Sequence, residues 1–84
     1  MAIVTLTPKA AEDLNELPLV IHSRALSLLE RLKKWPAVSG AKSLTGPLAG
    51  RYRIRTGDYR LQFRVNNQTV IVEKIGHRDG FYDE

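Results

Sequence analysis

Basic and apolar residues alternate through much of residues 51–78, and this alternation is the feature that most constrains the fold. In residues 51–55 every second residue is an arginine, and in residues 59–65 two arginines and Gln62 alternate with apolar or aromatic residues. Side chains on a β-strand point alternately to opposite faces of the sheet. The pattern therefore predicts a sheet with one apolar face, which packs on a core, and one face of arginines.

Turn signals divide this stretch into three strands. Gly57-Asp58 suits a two-residue hairpin turn, because glycine adopts positive φ without steric penalty. Asn66-Asn67 suits the next turn, because asparagine tolerates the left-handed conformation better than most residues do. The third strand, residues 69–75, is apolar on both faces around its centre. We expect it to lie in the interior of the sheet.

The first half of the chain predicts one strand and two helices. Residues 2–6 form a short run that is mostly apolar and has β-branched side chains at its centre, which is typical of a strand. The Thr-Pro pair that follows predicts a helix start, with Thr7 as the N-cap and proline at the first helical position. The next proline, at position 18, ends this helix. A second helix with an apolar stripe of leucines is predicted over residues 18–34.

Residues 36–50 are rich in glycine, proline and serine and read as a loop. The predicted element order is therefore β-α-α-β-β-β. This order indicates an α+β fold, with a mostly antiparallel, twisted sheet and a helical hairpin packed on one face. The length of 84 residues predicts a single domain over residues 1–84.

Composition narrows the classes of function. The chain has no cysteine, which excludes a disulfide framework and a thiolate zinc site. No apolar run approaches the ~18 residues of a membrane span, and the N-terminus lacks the pattern of a signal peptide. We therefore expect a soluble, cytoplasmic protein with no membrane partner. Residues 51–78 hold seven basic and two acidic side chains, a net charge of +5, which favours a nucleic-acid partner.

Three segments carry a resemblance to a known family. Residues 44–55 read Leu-Thr-Gly-Pro-Leu-Ala-Gly-Arg-Tyr-Arg-Ile-Arg, and residues 57–61 read Gly-Asp-Tyr-Arg-Leu. Residues 75–78 read Ile-Gly-His-Arg and are followed by Tyr82. In this order and spacing, the segments resemble the toxin superfamily of bacterial and archaeal toxin–antitoxin pairs named after RelE and ParE, in particular its RelE-like branch.

The resemblance implies a small α/β domain that inhibits translation as a ribosome-dependent endoribonuclease, an mRNA interferase. Such toxins cut messenger RNA in the ribosomal A site, in contact with ribosomal RNA, and use no metal or other cofactor. The 2′-hydroxyl of the message attacks the neighbouring phosphate. The implied protein partner is a cognate, RelB-like antitoxin, which silences the toxin in a hetero-oligomer.

The resemblance also implies roles for individual residues. Arg53 and Arg55 match a basic pair that holds phosphate, and Arg60 matches an arginine that grips the scissile phosphate. Arg78 matches an arginine that stabilises the transition state or the leaving group. Tyr82 matches a C-terminal tyrosine that can stack on a base of the RNA or act as the general base. If a side chain is the base, we expect it to be Tyr82, because arginine keeps its proton while neighbouring cations favour a phenolate.

A second set of residues is predicted to bind RNA: Arg51, Arg64, Lys74 and His77. Two alternatives remain open. The chain could be a ParE-like inhibitor of DNA gyrase without nuclease activity, or a non-catalytic RNA-binding module that uses the same basic face.

Overall fold

Two helices pack against one face of a five-stranded sheet in the computed structural model, which describes residues 2–81. In chain order the elements are β1 (Ile3–Leu6), α1 (Pro8–Asn15), α2 (Leu19–Leu32), β2 (Lys42–Ser43), β3 (Arg51–Thr56), β4 (Tyr59–Asn66) and β5 (Thr69–His77). A short 3₁₀ turn, Gly46–Leu48, lies between β2 and β3. The predicted α+β class is confirmed.

The strand order is β1-β5-β4-β3-β2. Strand β1 pairs with β5 in parallel, and the other neighbours are antiparallel. The prediction that the last strand is interior is confirmed. The structure adds one strand, β2, inside the segment that was predicted to be a loop. Its two residues pair with the edge of β3 through the backbone and carry no alternating pattern that a sequence could reveal.

The predicted helix signals lie close to the observed helix ends. The Thr7 hydroxyl oxygen accepts a hydrogen bond from the Ala10 N–H at 3.1 Å, which makes Thr7 the N-cap of α1. Helix α2 begins at Leu19 because Pro18 has an extended backbone, and regular helix ends at Leu32 because tighter turns follow. Neither helix among residues 2–81 is long and apolar enough to cross a membrane.

The core lies between the helices and the apolar face of β3, β4 and β5. Phe63 is fully buried at its centre. Its ring stacks on Tyr52 at 5.5 Å between centroids and meets Trp35 edge-on at 5.3 Å. Helix residues with small or leucine side chains cover this layer: Ala10, Leu14, Ala25, Leu28 and Leu32.

A β-bulge in β5 changes the direction of its side chains. Gln62 pairs with Lys74 but Phe63 pairs with Val72, so Glu73 is the extra residue on β5. Strand β1 ends at Leu6, opposite Val72, and the N-cap of α1 follows directly in the chain. The Thr7 hydroxyl donates to the Glu73 carbonyl at 3.2 Å, and the Ile75 N–H donates to the Asp13 carboxylate at 3.1 Å. After the bulge, Ile75 returns to the core.

Candidate nucleic-acid interface

The sheet face opposite the helices, called here the arginine face, collects the basic side chains of four strands. The register places Lys42 of β2 beside Arg53, Arg51 beside Arg64, and Arg55 beside Arg60. On the next strand, Lys74 of β5 pairs with Gln62, which lies on the same face as Arg60 and Arg64. The structure thus has the two-faced sheet that the alternating pattern predicts. The cationic side chains of this face are Lys42, Arg51, Arg53, Arg55, Arg60, Arg64 and Lys74.

Two pairs of arginines lie directly opposite each other on neighbouring strands: Arg51 with Arg64, and Arg55 with Arg60. Like charges in this position destabilise a sheet unless a counter-charge lies between them. The two pairs differ in whether they have such a counter-charge.

Glu73 neutralises the first pair. Its Oε1 accepts from Arg51 Nε at 2.8 Å and from Gln62 Nε2 at 3.3 Å, and its Oε2 accepts from Arg64 Nε at 3.1 Å. Burial raises the pKa of the Glu73 carboxyl, but the hydrogen bonds from Arg51, Gln62 and Arg64 lower it more strongly. The net result is a pKa below the ordinary value of 4.5. Glu73 is therefore a carboxylate at neutral pH.

This lowered pKa predicts how stability responds to acid. A carboxyl whose pKa falls on folding stabilises the fold above its unfolded pKa, and this contribution is lost as the pH drops through the folded pKa. We expect Glu73→Gln to be less stable than wild type at pH 7, and the difference to shrink below about pH 4.5. Urea unfolding at several pH values measures this, with Glu30→Gln, an exposed helix position, as the control. A difference that stays constant down to pH 3 would contradict the prediction.

The second pair lacks such a partner in the part of the chain that the structure describes. Within residues 2–81, no carboxylate forms an ion pair with Arg55 or Arg60. Arg60 Nη1 donates instead to the Gly57 carbonyl at 3.3 Å, in the β3–β4 turn. Arg55 lines an open notch of about 130 Å³ together with Gly40, Lys42 and Arg53. The part of the arginine face around Arg55 and Arg60 therefore offers an anion positive charge that no described carboxylate compensates.

Arg78 lies beside the same turn, just after the end of β5. Its backbone N–H donates to the Asp58 carbonyl at 2.7 Å. Its side chain is 57% exposed, and its guanidinium lies 3.9 Å from Asp58 and 3.8 Å from Asp79, at the outer limit of an ion pair. The structure therefore brings Arg60 and Arg78 to one end of the sheet, both attached to the β3–β4 turn.

His77 packs against Tyr59, its partner across the strands, with the rings edge-on at 5.2 Å. The Asp79 N–H donates to His77 Nδ1 at 3.1 Å. Because Nδ1 accepts this bond, the proton of the neutral ring lies on Nε2 in this geometry. His77 is exposed and can present that N–H to a ligand.

The chain turns back over the arginine face after β5. The Lys74 ammonium donates to the Phe81 carbonyl and lies 4.6 Å from the centre of the Phe81 ring. The buried Phe81 ring packs on Gly76, where a Cβ would come within 3.3 Å of it. Gly76 pairs with Arg60. Tyr82 lies outside the described residues, and its predicted role stays a prediction.

Three contributors to this surface were not predicted from the sequence. Lys42 has no strand pattern around it, and only the folded loop brings it beside Arg53. Glu73 carries a visible signal, since it is the one acidic residue in a basic strand region, but its partners depend on the register. The packing of Phe81 on Gly76 is a tertiary contact without a local pattern.

Comparison with known proteins adds independent evidence. The family described as "ParE toxin of type II toxin-antitoxin system, parDE" matches residues 4–80. Toxin RelG of Mycobacterium tuberculosis is 33% identical over 82 residues, which covers 94% of this chain and 93% of RelG. Toxin RelE3 of Methanocaldococcus jannaschii is 31% identical over 75 residues, covering 86% of this chain and 85% of RelE3.

The fold is also found among solved structures. The toxin–antitoxin complex RelBE2 of Mycobacterium tuberculosis contains a chain that superimposes with a TM-score of 0.81 at 29% identity, covering 92% of this chain and 98% of that one. The family match, the curated relatives and the superposition agree with the segments that carry the sequence resemblance. The chain belongs to the RelE/ParE superfamily and is a toxin of the type II toxin–antitoxin class.

Proposed function

We propose that this toxin is a ribosome-dependent mRNA endoribonuclease of the RelE type. The observation that carries the proposal is the Arg55–Arg60 pair, which no carboxylate among residues 2–81 neutralises and which lies at the same end of the sheet as Arg78. A fold keeps two arginines opposite each other at a cost in stability, and an incoming phosphate relieves that cost. The names of the two curated relatives support the RelE branch.

The proposed reaction is an in-line displacement at phosphorus. The ribose 2′-oxygen forms a bond to phosphorus, the bond from phosphorus to the 5′-oxygen breaks, and the products are a 2′,3′-cyclic phosphate and a 5′-hydroxyl. A base takes the proton of the 2′-hydroxyl, and the leaving 5′-oxygen gains one. The chemistry needs no group beyond side chains and RNA.

The arginines serve this reaction as electrostatic stabilisers. Arg53 and Arg55 hold the phosphate, and Arg60 contacts the scissile phosphate, where negative charge develops. Arg78 stabilises the transition state or the leaving oxygen. None of them is the base, because a guanidinium keeps its proton in proteins. Tyr82 is the proposed base.

The proposed partners follow from the same reading. The message lies in the ribosomal A site, in the cytoplasm, and the toxin also contacts ribosomal RNA there. A RelB-like antitoxin forms a hetero-oligomer with this chain and silences it. The similar structure RelBE2, a toxin–antitoxin complex, supports such a partner.

A translation extract tests the proposal. Purified toxin is added to extract programmed with a defined message, and primer extension maps new 5′ ends. We expect cuts that require ribosomes and that stop when the antitoxin is added. An intact message at toxin concentrations that block translation in the extract would contradict the proposal.

One observation favours a second candidate. The family description that matches this chain names ParE, and ParE-like toxins inhibit DNA gyrase. A supercoiling assay with purified gyrase separates the two functions, since inhibition of supercoiling without message cleavage identifies the ParE activity. RNA binding without either activity identifies a non-catalytic module.

A further inference from the structure

We propose that the RNA strand follows the row of cations Lys42, Arg53 and Arg55 on strands β2 and β3 of the arginine face. Glu73 pairs with Arg51 and Arg64 and thereby keeps these two arginines from binding the RNA. This path deepens the proposed function and rests on it. It assigns a phosphate contact to Lys42. It also removes Arg51 and Arg64 from the residues predicted to bind RNA, because both already pair with the Glu73 carboxylate.

Lys42 has the position and the charge for such a contact. It is exposed on β2, directly beside Arg53 in the sheet register. Together with Arg53, Arg55 and Gly40 it lines the notch of about 130 Å³. Gly40 adds no side chain there, and a Cβ at this position would meet nothing within 4 Å. The notch is therefore open to a phosphate on a flexible strand.

These three cations are available to a ligand. Within residues 2–81, no hydrogen bond or ion pair engages the side chains of Lys42, Arg53 or Arg55. A phosphate that binds among them displaces only water and diffuse counterions. Each phosphate that is neutralised in this way makes the affinity for RNA fall more steeply with salt concentration.

Arg51 and Arg64 are in the opposite situation. Each donates its Nε to a different oxygen of Glu73, whose side chain is only 19% exposed. A phosphate that took either arginine would remove one of the two ion pairs of a carboxylate that is mostly shielded from solvent, and would bring a second anion close to it, which is unfavourable. The carboxylate therefore acts as a built-in competitor, and the boundary of the RNA path lies between Arg53 and Arg51.

The salt dependence of binding tests this path. The probe is a short single-stranded RNA with 2′-O-methyl groups, which lack the attacking hydroxyl, so that binding is measured without cleavage. Fluorescence anisotropy gives the affinity over a range of salt concentrations. The slope of log K against log salt changes by about 0.7 for each phosphate contact with a single strand.

We expect Lys42→Ala to reduce this slope by about 0.7 and Lys42→Arg to preserve it. Arg64→Ala should leave the slope unchanged. Glu73→Gln should increase it, by up to about 1.4, because Arg51 and Arg64 become free for two phosphates. The matched controls are Lys34→Ala and Glu30→Gln, which change the net charge by the same amounts at exposed positions just after α2 and within it.

Three results would overturn the proposal while RNA still binds. Lys42→Ala could match Lys34→Ala, Arg64→Ala could lower the slope as much as Lys42→Ala should, or folded Glu73→Gln could match Glu30→Gln. If Glu73→Gln does not fold, the contrast between Lys42 and Arg64 decides alone. A wild-type chain that does not bind this free RNA would overturn the path, whereas ribosome-dependent cleavage in the translation extract tests the proposed function separately.

Discussion

Replacing Arg60 or Arg78 by alanine is expected to lower the rate of message cleavage by about 10²–10³-fold for each variant. Both side chains lie at the β3–β4 turn, Arg60 through a bond to the Gly57 carbonyl and Arg78 through its backbone bond to Asp58. Their guanidinium groups are placed to stabilise the charge that develops on a five-coordinate phosphorus. Losing one such donor removes transition-state stabilisation and leaves binding by the other cations in place.

The same substitutions should leave the fold intact. Among residues 2–81, Arg78 makes only long, exposed ion pairs, which contribute little to stability. Removing Arg60 also relieves its repulsion with Arg55 across the strands. Single-turnover cleavage in the translation extract gives the rates, and thermal unfolding checks the fold.

Arg31→Ala is the matched control, since it removes an exposed arginine from α2 on the other side of the sheet. Arg60→Lys separates charge from geometry, because lysine keeps the charge but cannot make a bidentate contact. Folded Arg60→Ala and Arg78→Ala proteins that cleave at the wild-type rate would show that these arginines are not part of the site.

The hairpins of this fold are predictable because their signals are local. The alternation in residues 51–65 sets the two faces, and glycine and asparagine mark the turns within two residues of the observed strand ends. Strand β2 could not be predicted in this way. Its two residues pair with β3 through the backbone, and nothing in their side chains distinguishes them from the surrounding loop.

The site is predictable only up to the bulge in β5. Strict alternation would place Lys74 on the same face as Val72 and turn Ile75 away from the core. The extra residue, Glu73, reverses this order. The contacts that hold the bulge come from Thr7 and Asp13, more than 60 residues earlier in the chain. A local pattern therefore predicts an arginine face, but it does not predict that Lys74 lies on it or which arginines Glu73 contacts.

The other large effect that we expect concerns the apolar face of the same sheet. Phe63 is fully buried and contacts the rings of Tyr52 and Trp35. Phe63→Ala should lower the free energy of unfolding by about 3–5 kcal/mol, because it leaves a cavity and removes two ring contacts. A small domain has a total stability of about 5–15 kcal/mol, and a chain this short belongs near the lower end. A large fraction of the variant should therefore be unfolded at 37 °C.

Urea unfolding measures this, with Trp35 as the reporter, because it is the one tryptophan of the chain and contacts Phe63 directly. Phe63→Leu is the control, since it keeps most of the buried volume and should cost clearly less. The readouts also separate the two faces of the sheet. Phe63→Ala should lose cleavage because much of the protein is unfolded, and its unfolding transition should be lost as well. Arg60→Ala should lose cleavage but keep the unfolding transition. A Phe63→Ala protein within about 1 kcal/mol of wild type would show that this aromatic cluster does not anchor the sheet to its helices.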